Sequence, residues 1–186
     1  MRKFFWIGWL TICIGCADKN SSPLTTAWNA FESGNYEKAR EILTQASEDR
    51  PLDAEIQSAL GWVLLRMDSL DQASTLFQNA SLLSNPTAEL YAGLAFTLNA
   101  LKQYDASNSS GSQALLLDDQ WVFAYDANLD WQDLTLVMAE NHFLLGEFSE
   151  ALDAVLVLNP QFTADPQTVL GRGQLASEIE RLKDLL

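Results

Sequence analysis

Few side chains in this 186-residue sequence could support catalysis or hold a metal ion. His142 is the only histidine, and a lone histidine without a nearby serine or cysteine nucleophile is more often a packed residue than a catalytic one. The only two cysteines, Cys13 and Cys16, lie together near the start, so the rest of the chain can assemble neither a soft-metal cluster nor a disulfide framework. We therefore predict a protein that is not an enzyme and that needs no metal and no cofactor.

One segment has an alternation that is typical of calcium-binding loops. Asp126, Asn128 and Asp130 are spaced as oxygen ligands are at the start of such a loop. However, Trp131 stands where a turn-forming glycine is needed, and Val137 stands where the closing bidentate glutamate should be. Three alternatives stay open for residues 119–131: a loop whose aromatic side chains pack on the rest of the fold, a loop that binds a partner, and a calcium site.

The charge balance excludes one class of partner. The chain has 11 Lys and Arg against 25 Asp and Glu, a net charge of -14. Phosphate backbones repel such a chain, so we predict no nucleic-acid binding.

The first residues are arranged as a secretory signal. A basic start, Met1-Arg2-Lys3, precedes an apolar run over residues 4–15, and the sequence becomes polar after Cys16. At about 1.5 Å per residue a helix of this run would cover about 18 Å, which is less than the roughly 30 Å of hydrocarbon in a bilayer.

The end of this run, Cys13-Ile14-Gly15-Cys16, resembles the lipobox of bacterial lipoproteins, with Cys13 where the family usually has leucine. The resemblance implies removal of a signal peptide over residues 1–15, lipidation of Cys16 and a lipidated tether over residues 16–22. The lipid would anchor the protein to a membrane. An ordinary cleaved signal and an uncleaved anchor are the alternatives. Because Ala17 rather than aspartate follows Cys16, the family's sorting rule favours the outer membrane, on the side facing the periplasm, within the bacterial cell envelope.

The sequence that follows the N-terminal segment repeats with a period of 34 residues. Four similar turn segments begin at Gly34, Asp68, Lys102 and Gly146, at spacings of 34, 34 and 44 residues. The residue five positions after each turn start is small: Ala39, Ala73, Ser107 and Ala151. The residue twelve positions before each of these is small as well: Ala27, Gly61, Ala95 and Ala139. Two antiparallel helices approach to about 8–10 Å where both present small side chains, so the period predicts helix hairpins.

The repeat resembles the tetratricopeptide repeat. The second unit carries the pattern almost completely, with Leu60-Gly61, Ala73, Phe77, Ala80 and Asn85-Pro86. The resemblance implies an all-α fold, a right-handed α-solenoid of about four helix hairpins with a C-terminal capping helix. The predicted helices are near 22–33, 35–49, 53–67, 69–84, 87–101, 103–117, 132–145, 147–158 and 166–185. The array covers 23–160, with units near 20–53, 54–87, 88–121 and 132–160, an insertion at 119–131 and the capping segment at 161–186.

In this family the first helix of each unit lines a concave groove that binds a partner. The resemblance therefore implies a groove formed by Trp28, Phe31, Trp62, Leu65, Arg66, Phe96, Asn99, Glu140 and Phe143. Trp28, Trp62 and Phe96 are aromatic residues spaced 34 apart, and we call them the predicted ladder. Such a row of rings is suited to an apolar or helical peptide segment. The alternative is that the aromatic residues only pack between neighbouring helices.

Two functions follow as hypotheses. The favoured one is an envelope-anchored lipoprotein that acts as a non-catalytic protein–protein interaction scaffold or assembly adaptor, whose partner is another envelope protein or a peptide segment. The alternative is a periplasmic binding module that holds an apolar or lipid ligand in the aromatic groove.

Overall fold

The computed structural model describes residues 22–83 and 85–186, and these ranges contain nine α-helices. The predicted signal peptide and Cys16 lie outside the described residues. The helices are α1 Pro23–Glu32, α2 Tyr36–Asp49, α3 Ala54–Arg66, α4 Leu70–Ser81, α5 Ala88–Ala100, α6 Tyr104–Leu117, α7 Trp131–Leu145, α8 Phe148–Leu158 and α9 Val169–Lys183. Each predicted helix is present, with ends displaced by at most three residues. In the described ranges, no helix combines the length and apolar character that crossing a membrane requires.

Successive helices pair as hairpins, and the hairpins stack in chain order. The first helices of neighbouring units, α1, α3, α5 and α7, also contact one another, whereas within the described ranges no second helix contacts the second helix of the next unit. The first helices therefore form one continuous side of the molecule, which we call the concave face. This arrangement confirms the predicted all-α solenoid of helix hairpins.

The turn inside each hairpin has the same backbone shape in all four units. Gly34, Asp68, Lys102 and Gly146 have φ values of 74°, 57°, 60° and 81°, in the left-handed region that commonly ends helices. Two of the four are glycine, for which this region costs little, and two are not. Because the same left-handed conformation recurs in each unit, aligning the sequence at these positions identifies the hairpins.

Small residues mark the helix crossings, as the period predicts. Ala27, Ala39, Ala73 and Ala95 are fully buried. Gly61 shows how close the contact is, because a Cβ atom added there would lie 2.9 Å from the ring of Phe77 in the paired helix α4. The close approach of the paired helices therefore requires these small side chains.

Apolar side chains form two separate cores. The first joins units one to three with the segment between α6 and α7 and with Leu134 of α7, and the second joins the rest of unit four to α9. In α9 the predicted apolar stripe is buried at Leu175, Ile179 and Leu182, while Leu186 is half exposed. Helix α9 covers α7 and α8, where an uncovered solenoid end would expose its core.

A matched pair of glycines in α9 tests how this helix is seated. A Cβ atom at Gly171 would overlap the backbone carbonyl of Asp165, whereas one at Gly173 would have nothing within 4 Å. Gly171→Ala is expected to lower the free energy of unfolding by about 2 kcal/mol through overpacking. Gly173→Ala is expected to raise it by about 0.5–1 kcal/mol, because alanine favours the helix. Urea unfolding of both variants, followed by circular dichroism, measures the two changes, and shifts of the same sign would contradict this account of the helix.

Candidate functional site

The segment between α6 and α7 follows the concave face, and we call residues 119–130 the insertion loop. Its side chains alternate: Trp121 and Phe123 are buried, while Val122 and Ala124 are exposed. An alternation of two is that of an extended chain with one side against a surface. Residues 121–125 therefore lie along the concave face with alternate side chains directed inward, and the chain then turns back, with an antiparallel bridge between Val122 and Asp130.

The inward aromatic rings of the insertion loop contact the rings of the predicted ladder. Tyr125 stacks on Trp28 of α1, with ring centroids 3.7 Å apart and planes 8° from parallel. Phe123 stacks on Trp62 of α3 at 4.1 Å. Trp121 meets Phe96 of α5 at 6.3 Å in a tilted arrangement. The loop thus runs from unit three back to unit one, and consecutive inward residues contact consecutive units.

Polar contacts hold the insertion loop in this position. Arg66 pairs with Asp126 at 3.4 Å, and the backbone N–H of Phe123 donates to the carbonyl of Leu129 at 2.8 Å. Asp130 caps α7 by accepting from the N–H of Gln132. Within residues 22–83 and 85–186, no group of three or more His, Cys, Asp or Glu side chains is arranged to hold a metal ion.

The aromatic part of the predicted groove is therefore covered by the insertion loop and is not open. Trp28, Phe31 and Trp62 are buried, with Phe123 in contact with all three rings. The other predicted groove residues also have partners within the chain: Leu65 in the first core, Arg66 with Asp126, Phe96 with Trp121, Asn99 with Asn141, Glu140 with Lys183, and Phe143 with Phe148. The insertion loop fills the ladder, so the structure supports the packing alternative for the loop's aromatic residues. A lipid in the same groove would have to displace these rings. Partner binding by the nine residues stays a prediction.

A buried polar network joins units three and four, and the sequence analysis missed it. The amide nitrogen of Asn141 donates to Ser107 Oγ at 2.9 Å and to Asn108 Oδ1 at 3.0 Å, while Asn141 Oδ1 accepts from Asn99 at 2.7 Å. Ser107 also donates to the carbonyl of Ala95 at 2.8 Å. A serine at a helix crossing where the repeat prefers alanine was the available signal for a polar partner in the next unit.

One concave space remains open beside the insertion loop. It is a cavity of about 850 Å³ at the edge of the concave face, next to the turns that join units one to two and two to three. We call it the rim cavity. Its wall includes Trp28, Ser58, Leu90 and Tyr125, together with the carboxylates of Glu55 and Glu89.

The rim cavity is acidic. Burial, and then the charge of Glu55, raise the pKa of Glu89 to about 7. Burial, followed by the nearby Glu89 and Glu55 charges, raises the pKa of Tyr125. Arg50, in the same wall, is paired with Asp53 at 3.1 Å. Glu55 and Glu89 are therefore two carboxylates whose charges no described cation pairs.

His142 has a local partner. Its Nδ1 lies 2.7 Å from Glu147 Oε2, across the turn that joins α7 to α8. This contact links the two helices of unit four.

Helix hairpins stacked into an α-solenoid define the class of fold. Residues 30–95 match the sequence profile of the family described as Tetratricopeptide repeat. Residues 30–95 therefore contain tetratricopeptide repeats (TPR), and the described residues have the fold of a TPR solenoid, as the sequence resemblance predicts. No curated protein matches the sequence.

Solved TPR structures share this fold. YrrB, described as a TPR protein with an unusual peptide-binding site, has a TM-score of 0.68 and 14% identity, and the match covers 87% of this chain and 85% of YrrB. MamA of AMB-1 has a TM-score of 0.63 and 15% identity, with 88% of this chain and 80% of MamA covered. A TPR protein from Parabacteroides merdae has a TM-score of 0.59 and 16% identity, with 88% and 63% covered.

Proposed function

We propose that this protein is a non-catalytic protein–protein interaction scaffold that holds a segment of a partner along the concave side of its solenoid. The partner is another envelope protein or a peptide segment from one. The insertion loop carries this proposal: its residues 121–125, with aromatic side chains at alternate positions, already lie across successive units. The geometry and chemistry of the face therefore suit an extended peptide.

The partner contacts the part of this side that the insertion loop leaves open. The rim cavity is concave, adjoins the loop through Tyr125 and spans the boundaries between units one, two and three. Its volume of about 850 Å³ is in the range of protein pockets that bind drug-sized ligands. The peptide-binding site named for YrrB, which shares the fold, is consistent with this use of a TPR surface.

The proposal includes a lipid at Cys16 that holds the solenoid at the outer membrane, facing the periplasm. The order of basic, apolar and polar residues before Pro23 supports it. Only six residues separate Cys16 from Pro23, which at the maximal rise per residue is a reach of about 25 Å. The partner is therefore a protein that itself lies close to the membrane.

Site-specific crosslinking in intact bacteria tests the scaffold. Leu52 lies in the wall of the rim cavity and is 79% exposed, so a photoreactive amino acid at this position is expected to capture a defined envelope protein. Leu116, on the second helix of unit three, is 78% exposed and serves as the matched control. Capture at position 52 and not at position 116, read by mass spectrometry, is the expected result.

A second variant tests the lipid anchor independently of the scaffold. Cys16→Ala is expected to remove lipid labelling, to release the protein from the membrane fraction and to weaken capture at position 52, because the protein leaves its partner's surroundings. Identical products at positions 52 and 116 would contradict the scaffold. Unchanged fractionation of Cys16→Ala would contradict the lipid anchor alone.

A further inference from the structure

We propose that the rim cavity binds a basic side chain, the ammonium group of a lysine or the guanidinium group of an arginine, from the partner segment. This inference rests on the proposed scaffold function and assigns the chemistry of its contact. It is carried by three observations: uncompensated carboxylates, an unsatisfied buried hydroxyl and an apolar wall, all in one cavity.

The first observation is the charge of the cavity. Glu89, in the first turn of α5, and Glu55, in the first turn of α3, both line the cavity. The one cation in the wall, Arg50, is already paired with Asp53 at 3.1 Å. A cation entering the cavity would therefore meet two free carboxylates, an arrangement that favours charge-assisted hydrogen bonds.

The second observation is Ser58, which lies one helical turn beyond Glu55 in the wall of the same cavity. Ser58 is only 7% exposed, and its Oγ has no hydrogen-bond partner among the described residues. A buried hydroxyl without a partner costs about 1–3 kcal/mol, so such groups are rare in folded proteins unless an ordered water or a ligand satisfies them. A hydroxyl oxygen can accept a hydrogen bond from an N–H of a cationic group.

The third observation is the apolar part of the wall. Trp28, Leu52 and Leu90 lie beside the carboxylates. Lysine and arginine have apolar stems of three or four methylene groups below a charged end. The cavity therefore has surfaces for both parts of such a side chain. The chain's net charge of -14 also favours the approach of a basic partner segment.

The protonation state of Glu89 makes binding of the cation dependent on pH. Because burial raises the pKa of Glu89 to about 7, this carboxyl is mostly neutral at pH 6 and mostly ionised at pH 8. A bound cation interacts with the ionised form, so affinity rises with pH across this interval, by about tenfold if binding needs the ionised form. The charged and titratable groups around it are Glu55 of α3, Asp53 that caps α3, Arg50 of the preceding turn, Tyr125 of the insertion loop and, more distant, Glu32 of α1.

Peptide titration of the purified 186-residue chain tests the site. The probe is a capped tripeptide, acetyl-Gly-Arg-Gly-amide, and the neutral control replaces arginine by citrulline, which has nearly the same shape. Calorimetry is expected to show at least tenfold tighter binding of the arginine peptide at pH 8. Glu89→Gln is expected to weaken that binding at least fivefold and to remove most of its change between pH 6 and pH 8. Glu150→Gln, an exposed acid in α8, makes the same change in net charge away from the cavity and is expected to leave binding unchanged.

The outcomes separate this inference from its alternatives. Equal weakening by Glu89→Gln and Glu150→Gln would overturn it, because the attraction would then be the general charge of the protein. Tighter binding of putrescine than of the arginine peptide would overturn the assignment to a side chain. If a partner is captured at position 52 but the arginine peptide does not bind, the basic contact is wrong and the scaffold stands. If the peptide binds but no partner is captured, the scaffold fails and the cation site stands.

Discussion

Replacing Phe123 with alanine is expected to lower the free energy of unfolding by about 3–5 kcal/mol, the usual cost of removing a buried phenylalanine from a core. Phe123 is 1% exposed, stacks on Trp62 and makes edge contacts with Trp28 and Phe31. No neighbouring ring can fill the space without leaving its own contacts, so the cavity should persist. Urea unfolding of the 186-residue chain, followed by circular dichroism, measures the change.

The adjacent residue provides the control for Phe123→Ala. Val122 belongs to the same loop but is 49% exposed, so Val122→Ala is expected to change the free energy of unfolding by no more than about 0.5 kcal/mol. Tryptophan fluorescence of Phe123→Ala should also report greater access of water to Trp28 and Trp62 before unfolding. If Phe123→Ala unfolds at the same urea concentration as the parent chain, the insertion loop is not part of the first core.

Replacing Asn141 with alanine is expected to lower the free energy of unfolding by about 3 kcal/mol. Asn141 is 0% exposed, and its amide makes three hydrogen bonds to Asn99, Ser107 and Asn108. Alanine would leave polar atoms of those side chains without their partner in a site that water reaches poorly. Each unsatisfied buried group costs about 1–3 kcal/mol, although some of these groups can reorient. Urea unfolding again measures the change.

An exposed asparagine gives the matched substitution. Asn79 lies on the solvent side of α4, so Asn79→Ala is expected to leave stability unchanged or to raise it slightly, because alanine is the better helix former. A loss for Asn141→Ala as small as that for Asn79→Ala would show that the network contributes little to the junction between units three and four.

The fold could be predicted from the sequence because its determinants recur. Each hairpin needs small residues where its helices cross, so a single unit with Ala39 or Ala73 gives weak evidence and four units at related spacings give strong evidence. The helix ends followed because turn positions such as Gly34 and Gly146 adopt the same left-handed conformation in each unit.

The site could be predicted only in part. The ladder of Trp28, Trp62 and Phe96 was visible as a spacing of 34, and the aromatic residues of the insertion loop were visible as a spacing of two. Neither spacing indicates that the two sets of rings contact each other, because the path of a loop across a surface depends on packing between distant parts of the chain. The rim cavity was missed for the same reason. Glu89 is an ordinary acid in the sequence, and its raised pKa comes from burial and from Glu55, which lies one unit earlier.

The path of the insertion loop has a consequence for how the chain unfolds. In a simple solenoid each repeat contacts only its neighbours, so units can melt one after another from either end. Here Tyr125 of the loop stacks on Trp28 of α1, a contact between residues almost one hundred positions apart. The terminal first unit cannot separate without disturbing the loop that leaves unit three, so units one to three should lose structure in a single cooperative step. The fourth unit shares a core with α9, but Leu134 of α7 lies in the first core and Asn141 bonds to unit three, so its opening would first have to break these junction contacts.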